Sequence, residues 1–204
     1  MLTYEIETEF AAKGYTVICG TDEAGRGPLA GPVCAAAVIL PEGLVIEGLN
    51  DSKKLTEKKR EALFETIKKE ALSYGIAMAT EKEIDEINIL NASLLAMRRA
   101  VEQLSPAPSL VLVDGNKPGS FPCDSVAVVK GDAKSPNIAA ASILAKVTRD
   151  RYMTELDKTY PGYGFAIHKG YPTKAHYIAL NRLGPCPAHR LTFLKKKHDY
   201  TEEE

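Results

Sequence analysis

The feature that most constrains this sequence is an apolar segment that ends in two adjacent acids, Asp22 and Glu23. Residues 15–19 (Tyr-Thr-Val-Ile-Cys) have the β-branched and aromatic side chains typical of a buried strand. Carboxylates at the end of a buried strand need a cation or hydrogen-bond donors nearby, because an isolated buried charge is costly. Residues 25–27 (Gly-Arg-Gly) follow; the glycines let backbone N–H groups approach a ligand, and arginine binds anions. The segment therefore indicates a metal site beside a phosphate.

Three other interpretations of this segment compete with a metal site. Residues 25–30 fit the G-x-G-x-x-A pattern of dinucleotide-binding loops, with Asp51 downstream. Such a loop must open a helix, whereas residues 33–40 are an apolar run that predicts a second strand. Residues 20–26 are similar to a phosphate-binding loop but lack its Lys-Ser/Thr ending. The third alternative is a strand that ends in a polar turn. We favour the metal site.

The composition is that of a globular, enzyme-sized domain. With 204 residues and 45% hydrophobic content, the chain is long enough for one sizeable core. Its four cysteines form no C-x-x-C pair, so we expect free thiols in a reducing compartment. We find no secretory signal and no apolar run of membrane-spanning length, and we expect a cytoplasmic protein. Because the formal net charge is −1, any nucleic acid must contact a local basic patch.

The order of predicted elements indicates an α/β layered domain. We predict a short N-terminal helix, strands at residues 15–22 and 33–40, a loop at 50–53, a helix at 56–72, a strand at 75–79, two helices at 81–104 broken near Asn88, strands at 110–114 and 125–130, a long helix at 137–160, and a helix that starts at Pro172 and runs toward Leu183. Alanines at 139–141 and 145 allow the long helix to approach a sheet closely.

The acids follow a pattern along these strands. Asp22 and Glu23 close the first strand, Asp114 closes the fourth, and Asp132 lies just beyond the fifth. Ligands of open α/β sheets gather at the carboxyl ends of the strands, so the four acids converge if these strands are parallel neighbours. A single strand-end acid is usually a cap or turn residue, but repetition on three apolar strands argues for a site. Oxygen ligands without His or Cys indicate Mg²⁺ or Mn²⁺.

Six short motifs carry a resemblance to a known family. They are residues 22–27 (Asp-Glu-Ala-Gly-Arg-Gly), 50–53 (Asn-Asp-Ser-Lys), 113–115 (Val-Asp-Gly), 130–132 (Lys-Gly-Asp), 141–146 (Ala-Ser-Ile-Leu-Ala-Lys) and 168–171 (His-Lys-Gly-Tyr). In this order they resemble bacterial ribonuclease HII, the type 2 branch of the ribonuclease H group, over nearly the whole chain. The resemblance implies a ribonuclease-H-like α/β fold, with a five-stranded mixed sheet flanked by helices and a small C-terminal helical portion. Arginine at position 26 fits type HII; the similar type HIII usually has lysine there and an extra N-terminal domain.

The resemblance implies a metal-dependent endoribonuclease. It would hydrolyse the RNA strand of RNA/DNA hybrids and cut 5′ of single ribonucleotides in duplex DNA, leaving 5′-phosphate and 3′-hydroxyl ends in ribonucleotide removal and primer removal. Two Mg²⁺ or Mn²⁺ ions would be held by four catalytic acids, Asp22, Glu23, Asp114 and Asp132. By resemblance Asp22 would bridge the ions, Glu23 and Asp114 would hold one, and Asp132 the other; the sequence alone does not assign these roles.

The same resemblance implies seven substrate contacts: Gly25, Arg26, Gly27, Lys53, Ser142, Lys146 and Tyr171. The backbone of the first three would read the ribose 2′-hydroxyl, and Tyr171 would pack against the sugar just after the ribonucleotide. Ser142 lies one helical turn before Lys146 and is either a substrate contact or a helix-packing hydroxyl. Three histidines lack metal-ligand spacing with one another, and we expect structural or phosphate-side roles for them: His168, His176 and His189.

The sequence leaves other functions open. A junction resolvase of the same superfamily would cleave branched all-DNA substrates, a dinucleotide-dependent oxidoreductase would bind NAD, and a hybrid-binding module would bind without cleaving. We expect one catalytic domain at residues 1–194 and a polar, disordered tail at 195–204, where some family members carry a helical extension. We also expect a monomer without membrane association, and we find no motif that names a protein partner.

Overall fold

The computed structural model describes residues 2–195. In chain order the elements are α1 (Glu5–Ala12), β1 (Ile18–Ala24), β2 (Val33–Ile39), α2 (Glu57–Glu70), β3 (Ser73–Ala79), α3 (Glu81–Val101), β4 (Leu110–Asp114), β5 (Asp124–Val128), α4 (Pro136–Thr159), α5 (Phe165–His168) and α6 (Lys174–Leu183), with short 3-10 helices at Ser52–Lys54, Gly131–Ala133 and Leu191–Lys195. Helices α2, α3, α4 and α6 each begin after a Ser or Thr whose hydroxyl accepts a hydrogen bond from the third helical N–H. These caps satisfy donors that a helix start leaves unpaired.

The strands form one mixed sheet in the order β3-β2-β1-β4-β5. β1 pairs in parallel with β4, and β4 pairs in parallel with β5. β2 is antiparallel to both β1 and β3. The predicted five-stranded mixed sheet is therefore confirmed, and so is the parallel neighbourhood of the first, fourth and fifth strands. Their carboxyl ends meet at one edge of the sheet.

Helices cover both faces of this sheet. Alternate residues of β2, such as Ala35 and Ala37, belong to the core cluster on the α3 side. The intervening residues Ala36 and Val38 pack with α2 and α4 on the other side. Every position of β2 is buried, because successive side chains of a strand point to opposite faces and both faces are covered.

The long helix α4 packs directly on β1. A Cβ atom at Gly20 would overlap the backbone of Ile138, so the strand accepts the start of α4 only because residue 20 has no side chain. The alanines at 139–141 and 145 are fully buried, which confirms their predicted packing role. This contact fixes the start of α4 and hence the preceding 3-10 helix, which carries Asp132.

Two strands differ from their predicted bounds at both ends. β1 runs from Ile18 to Ala24, not over residues 15–22, and it includes Glu23 and Ala24 because β2 pairs with both. β5 ends at Val128, two residues earlier than predicted. Lys130 has a φ of 56°, a left-handed conformation that a strand does not accommodate.

The helical predictions near Asn88 and Pro172 have different outcomes. The break inside α3 is confirmed, since Asn88 has a φ of 66°. The last long helix begins at Lys174 after the cap Thr173, so Pro172 precedes the cap and does not start the helix. The predicted tail at residues 195–204 lies outside the described residues, apart from Lys195 at the end of the last 3-10 helix. Among residues 2–195 no helix has the length and apolar character of a membrane span.

Candidate active site

Asp22 and Asp114 occupy equivalent positions on neighbouring parallel strands. Thr21 of β1 pairs with Val113 of β4, and each acid is the next residue along its strand. Adjacent strands lie about 4.8 Å apart, and side chains at equivalent positions point to the same face. The structure therefore brings these two carboxylates together at the carboxyl edge of the sheet.

Backbone hydrogen bonds hold the other two acids at the same edge. Oδ1 of Asp114 accepts a 2.7 Å hydrogen bond from the Gly131 N–H, which fixes the turn that carries Asp132. Oδ1 of Asp22 accepts a 2.7 Å hydrogen bond from the Glu23 N–H. All four predicted acids thus lie near one another at this edge of the sheet.

Burial and mutual repulsion raise the pKa of three of these carboxyl groups, those of Asp22, Glu23 and Asp132. Asp22 is only 5% exposed, and its burial, followed by the charges of Glu23 and Asp114, raises its pKa well above the ordinary value. Burial also raises the pKa of Glu23 and of Asp132, and the charge of Asp114 adds to both shifts. A cation among these groups would relieve the repulsion, so the cluster favours positive charge.

Lys53 and a fifth acid, Asp51, complete the charged cluster. Partial burial lowers the pKa of Lys53, but nearby carboxylates outweigh this effect and raise it overall: Asp22, Asp132, Asp51 and Asp114. Asp51 accepts a 2.9 Å hydrogen bond from the Lys53 N–H, and its carboxyl group adds to the raised pKa of Asp132. The structure therefore places Lys53 beside the acids and adds Asp51, which the sequence prediction did not include although it lies in the same Asn-Asp-Ser-Lys motif.

The donor set fits hard divalent cations. Carboxylates supply only oxygen ligands, which Mg²⁺ and Mn²⁺ prefer. Among residues 2–195 no three His, Cys, Asp or Glu side chains are arranged as a ready-made metal cage. Mg²⁺ is usually held by one or two carboxylates together with waters and substrate phosphates. The acids thus suit ions that they share with a phosphate ligand.

The glycine-arginine loop, residues 25–27, leaves β1 without opening a helix. The next element is β2, so the arrangement of a dinucleotide-binding loop is absent from this part of the chain. Gly25 has a φ of +98°, and a Cβ there would overlap the side chain of Arg149. Glycine is therefore required at position 25 by both the backbone and the arginine beneath it. The side chain of Arg26 is half-exposed, and its Nη1 lies 3.7 Å from Oε1 of Glu23.

Tyr171 lies against this loop. A Cβ at Gly27 would be in ordinary contact, at 3.7 Å, with Cε1 of Tyr171. The two segments are joined by a 2.8 Å hydrogen bond from the Leu29 N–H to the Gly170 carbonyl. The tyrosine is 40% exposed, and Nζ of Lys146 lies 6.0 Å from its ring centroid. The structure therefore brings Gly27, Lys146 and Tyr171 together at an accessible position.

Two buried histidines hold the backbone of Tyr171. Nδ1 of His176 lies 2.9 Å from the Tyr171 carbonyl, and Nε2 lies 3.1 Å from Nε2 of His189. Because a carbonyl only accepts hydrogen bonds, Nδ1 of neutral His176 carries the proton, and its Nε2 is an acceptor. Nε2 of His189 therefore donates to Nε2 of His176, and Nδ1 of His189 accepts a 3.0 Å hydrogen bond from the Cys186 N–H. Burial lowers the pKa of His176 and of His189 to about 4. The ring of His168 stacks on that of His176 with centroids 4.4 Å apart, so each of these three histidines packs or hydrogen-bonds within the protein.

Lys146 and the loop that carries Lys53 share one charged network. Nζ of Lys146 lies 2.8 Å from Oδ1 of Asp150, and Nη2 of Arg60 lies 4.0 Å from Oδ2. Nη1 of Arg60 donates hydrogen bonds of 3.2 and 2.6 Å to the carbonyls of residues 52 and 55. Arg60 and Asp150 therefore connect the positions of both lysines.

Ser142 is not accessible. It is 2% exposed, and its hydroxyl donates a 2.9 Å hydrogen bond to the Ala139 carbonyl within α4. Its assignment as a substrate contact is therefore corrected to helix packing, because this side of α4 is covered by the protein core.

Two buried arginines beneath the site, Arg149 and Arg190, were not predicted from the sequence. They are 1% and 0% exposed, and each donates three hydrogen bonds to backbone carbonyls around the loops. Arg149 could have been found, because Ala145, Arg149 and Met153 follow a four-residue spacing on a buried helix face. Arg190 stands in no such pattern.

Comparison with known proteins identifies the family. Residues 19–198 match the family model of ribonuclease HII. A ribonuclease HII from Caldicellulosiruptor bescii is 56% identical over 192 residues, which are 94% of this chain and 93% of that protein.

Two solved structures share the fold. The ribonuclease H2 from Pyrococcus horikoshii OT3 superposes with a TM-score of 0.71 and 31% identity, covering 87% of this chain and 93% of that chain. A chain of the PCNA:RNase HII complex from Archaeoglobus fulgidus superposes with a TM-score of 0.73 and 26% identity, covering 92% of this chain and 99% of that chain. Since the family model spans most of the sequence and the fold agrees, this chain belongs to the ribonuclease HII family and is a ribonuclease H hydrolase.

Proposed function

We propose that this ribonuclease H is a metal-dependent endonuclease that hydrolyses the RNA strand of RNA/DNA hybrids. We propose further that it cuts 5′ of single ribonucleotides in duplex DNA, leaving 5′-phosphate and 3′-hydroxyl ends, in ribonucleotide and primer removal. The observation that carries the proposal is the register of Asp22 and Asp114 on parallel strands, beside a glycine-arginine loop on which Tyr171 packs. One edge of the sheet thus combines groups that hold cations with groups that suit a sugar-phosphate chain.

The acids are the groups that would hold two Mg²⁺ or Mn²⁺ ions: Asp22, Glu23, Asp114 and Asp132. Such ions, when bound, relieve charge on the leaving oxygen and activate water as a nucleophile near neutral pH. The protein's part is to fix the carboxylate oxygens, which the N–H groups of Glu23 and Gly131 do for Asp22 and Asp114. Lys53, whose pKa the acids raise despite its partial burial, remains a cation beside them and would bind a substrate phosphate.

Recognition of RNA is the proposed role of the loop and of Tyr171. Only RNA has a 2′-hydroxyl, so an enzyme that requires RNA must contact that group. The backbone of Gly25, Arg26 and Gly27 would make the contact, because glycine leaves the backbone accessible. Tyr171, with Lys146 near its ring, would pack against the next sugar and so mark the junction between RNA and DNA.

A cleavage assay tests the proposal. The full chain is incubated with four substrates: a DNA duplex with one ribonucleotide, an RNA/DNA hybrid, an all-DNA duplex and a branched all-DNA junction. Each is assayed with Mg²⁺, with Mn²⁺ and with chelator. We expect cleavage of the first two only, dependent on metal, and on the 5′ side of the lone ribonucleotide. Cleavage of the junction would favour a resolvase, and binding without cleavage would contradict catalysis.

The free thiols support the proposed cellular setting. All four cysteines are free, as expected in a reducing environment. We propose that the protein acts as a monomer in the cytoplasm; size-exclusion chromatography coupled to light scattering tests the monomer.

A further inference from the structure

Arg190 holds the carbonyl side of the glycine-arginine loop. Its Nη2 donates a 2.6 Å hydrogen bond to the Gly25 carbonyl, and its Nη1 donates a 3.0 Å hydrogen bond to the Arg26 carbonyl. Its Nε donates a 2.9 Å hydrogen bond to the Gly31 carbonyl. Because the side chain is fully buried, these charge-assisted bonds are shielded from water and are strong. The peptide units that follow Gly25 and Arg26 are therefore fixed with their oxygens toward the interior.

The direction of these carbonyls determines the direction of the next amides. In a planar trans peptide the C=O and N–H bonds point to opposite sides. Since the oxygens of Gly25 and Arg26 face Arg190, the N–H groups of Arg26 and Gly27 point away from it. Successive backbone N–H groups that point the same way form a concave site for anions and oxygen ligands.

The chain around Arg190 keeps its guanidinium in this position. The Arg190 N–H donates a 2.8 Å hydrogen bond to the Leu29 carbonyl, and the Gly31 N–H donates a 2.9 Å bond to the Ala188 carbonyl. The centroid of the Phe193 ring lies 5.2 Å from Cζ of Arg190. The segment that carries Arg190 is thus paired with the end of the loop that Arg190 orients.

The charge of Arg190 adds to this arrangement. Burial, followed by the charge of Arg149, lowers the pKa of Arg190 to about 9, so the guanidinium remains protonated at neutral pH. A buried cation beneath the loop attracts the carbonyl oxygens and favours negative charge above the outward N–H groups.

We propose that Arg190 is a positioning residue for ribonucleotide recognition, which orients the Gly25 and Arg26 peptides so that the amides of Arg26 and Gly27 donate to the ribose 2′-hydroxyl and the adjoining phosphate. The inference rests on the proposed function of the loop. It assigns specificity to a side chain that never touches the substrate.

Arg149 is the matched control for Arg190. It is equally buried and also donates three hydrogen bonds to carbonyls, but these belong to Ala30, Pro32 and Lys169. Arg149→Lys and Arg190→Lys both keep the charge and lose the planar fork. Only Arg190→Lys releases the carbonyls of residues 25 and 26.

The test measures the affinity of each variant for two duplexes of one sequence, all-DNA or with a single ribonucleotide, in chelator so that no cleavage competes. We expect the wild type to prefer the ribonucleotide. We expect Arg190→Lys to reduce this preference about tenfold, which corresponds to the loss of one hydrogen bond. The affinity for the all-DNA duplex should not change. We expect Arg149→Lys to retain the preference.

Each other outcome contradicts the inference. An unchanged preference in Arg190→Lys, or the same loss in Arg149→Lys, would overturn the specific role of Arg190. A purely structural role would weaken binding of both duplexes alike. If the wild type itself shows no preference for the ribonucleotide, both the proposed recognition by the loop and the inference about Arg190 are wrong. If the wild type shows the preference and Arg190→Lys retains it, only the inference about Arg190 is wrong.

A measurement on the wild type covers the case that Arg190→Lys does not fold. By NMR the amides of Arg26 and Gly27 should exchange rapidly with solvent in the free protein. Their resonances should shift more with the ribonucleotide duplex than with the all-DNA duplex. Slow exchange in the free protein would mean that these amides are bonded internally, and the inference would be wrong.

Discussion

The ring of Tyr171 packs over Gly27, with Cε1 3.7 Å from the place a Cβ would occupy at residue 27. The contact joins two segments from opposite parts of the sequence, and the hydrogen bond from the Leu29 N–H to the Gly170 carbonyl holds them together. The same tyrosine has its carbonyl bound by His176. The ring and the glycine backbone therefore form one surface, on which the proposed recognition of a ribonucleotide depends.

Replacing the ring should affect the two substrates differently. We predict that Tyr171→Ala lowers kcat/KM on a single-ribonucleotide duplex by an amount that corresponds to about 1–3 kcal/mol, if base stacking is a guide to sugar packing. The loss on a long RNA/DNA hybrid should be much smaller, and Tyr171→Phe should stay close to wild type because packing uses the ring face. Equal losses on both substrates, with a lower melting temperature, would assign Tyr171 to the core.

The two glycines of the loop should separate stability from recognition. Gly25→Ala forces a side chain into a left-handed position against Arg149 and should destabilise the fold by at least about 1–3 kcal/mol. Gly27→Ala meets nothing closer than Tyr171 and should keep the melting temperature. Gly27→Leu should lower cleavage of the single-ribonucleotide duplex; an unchanged substrate profile would place the 2′-hydroxyl contact elsewhere.

Neutralising the acids should abolish activity. We predict that Asp22→Asn and Asp114→Asn each lower cleavage at least about 100-fold, because an amide cannot replace a carboxylate that holds a cation. Circular dichroism should show an unchanged fold, since the side-chain volume is nearly the same. Near-normal turnover in either variant would refute the four-acid assignment.

Removal of the Asp22 charge should also change stability. The pKa of Asp22 is raised by burial, then by Glu23 and Asp114, so ionising Asp22 costs more in the folded chain than in the unfolded one. The free energy of unfolding therefore falls as pH rises above the ordinary carboxyl range. In chelator at neutral pH, Asp22→Asn should therefore melt at a higher temperature than the wild type. Added Mg²⁺ should raise the melting temperature of the wild type more than that of the variant, and the opposite order would contradict the electrostatic account.

The buried histidines should make stability depend on pH. Burial lowers the pKa of His176 and His189 to about 4, whereas a histidine in the unfolded chain has a pKa of about 6.5. Between these values the unfolded state binds more protons, so the free energy of unfolding falls with falling pH, by up to about 1.4 kcal/mol per pH unit for each histidine.

Urea unfolding between pH 4 and pH 7 measures this slope. His176→Asn retains a donor near the Tyr171 carbonyl but does not titrate, so its slope should be shallower than that of the wild type. The pKa of Glu83 is lowered to about 2, chiefly by its hydrogen bond with Arg99. The stability that this acid contributes is therefore lost mainly below the range of the histidines, as pH falls toward 2. A variant with the wild-type slope would show that other groups dominate.

Local sequence determined the type and order of most elements. Apolar runs with β-branched residues predicted the strands, and Ser or Thr caps followed by a helical period agree with the helices observed. The position of acids at the ends of such runs also predicted which carboxylates share an edge, because the carboxyl ends of parallel strands coincide. Where the end of β1 was wrong, the partner strand decided it: Glu23 and Ala24 belong to β1 because β2 pairs with them.

Tertiary structure decided what supports the site. The Gly25 carbonyl and the guanidinium of Arg190 lie 165 residues apart in sequence and 2.6 Å apart in space, and Tyr171 reaches Gly27 in the same way. The burial of Ser142, which favours helix packing over the substrate contact, likewise follows from the side of α4 that the core covers. Periodicity and capping act over a few residues, so they report local conformation, whereas a hydrogen bond between distant segments leaves no pattern in either one. Only the packing of the folded chain brings such groups within bonding distance.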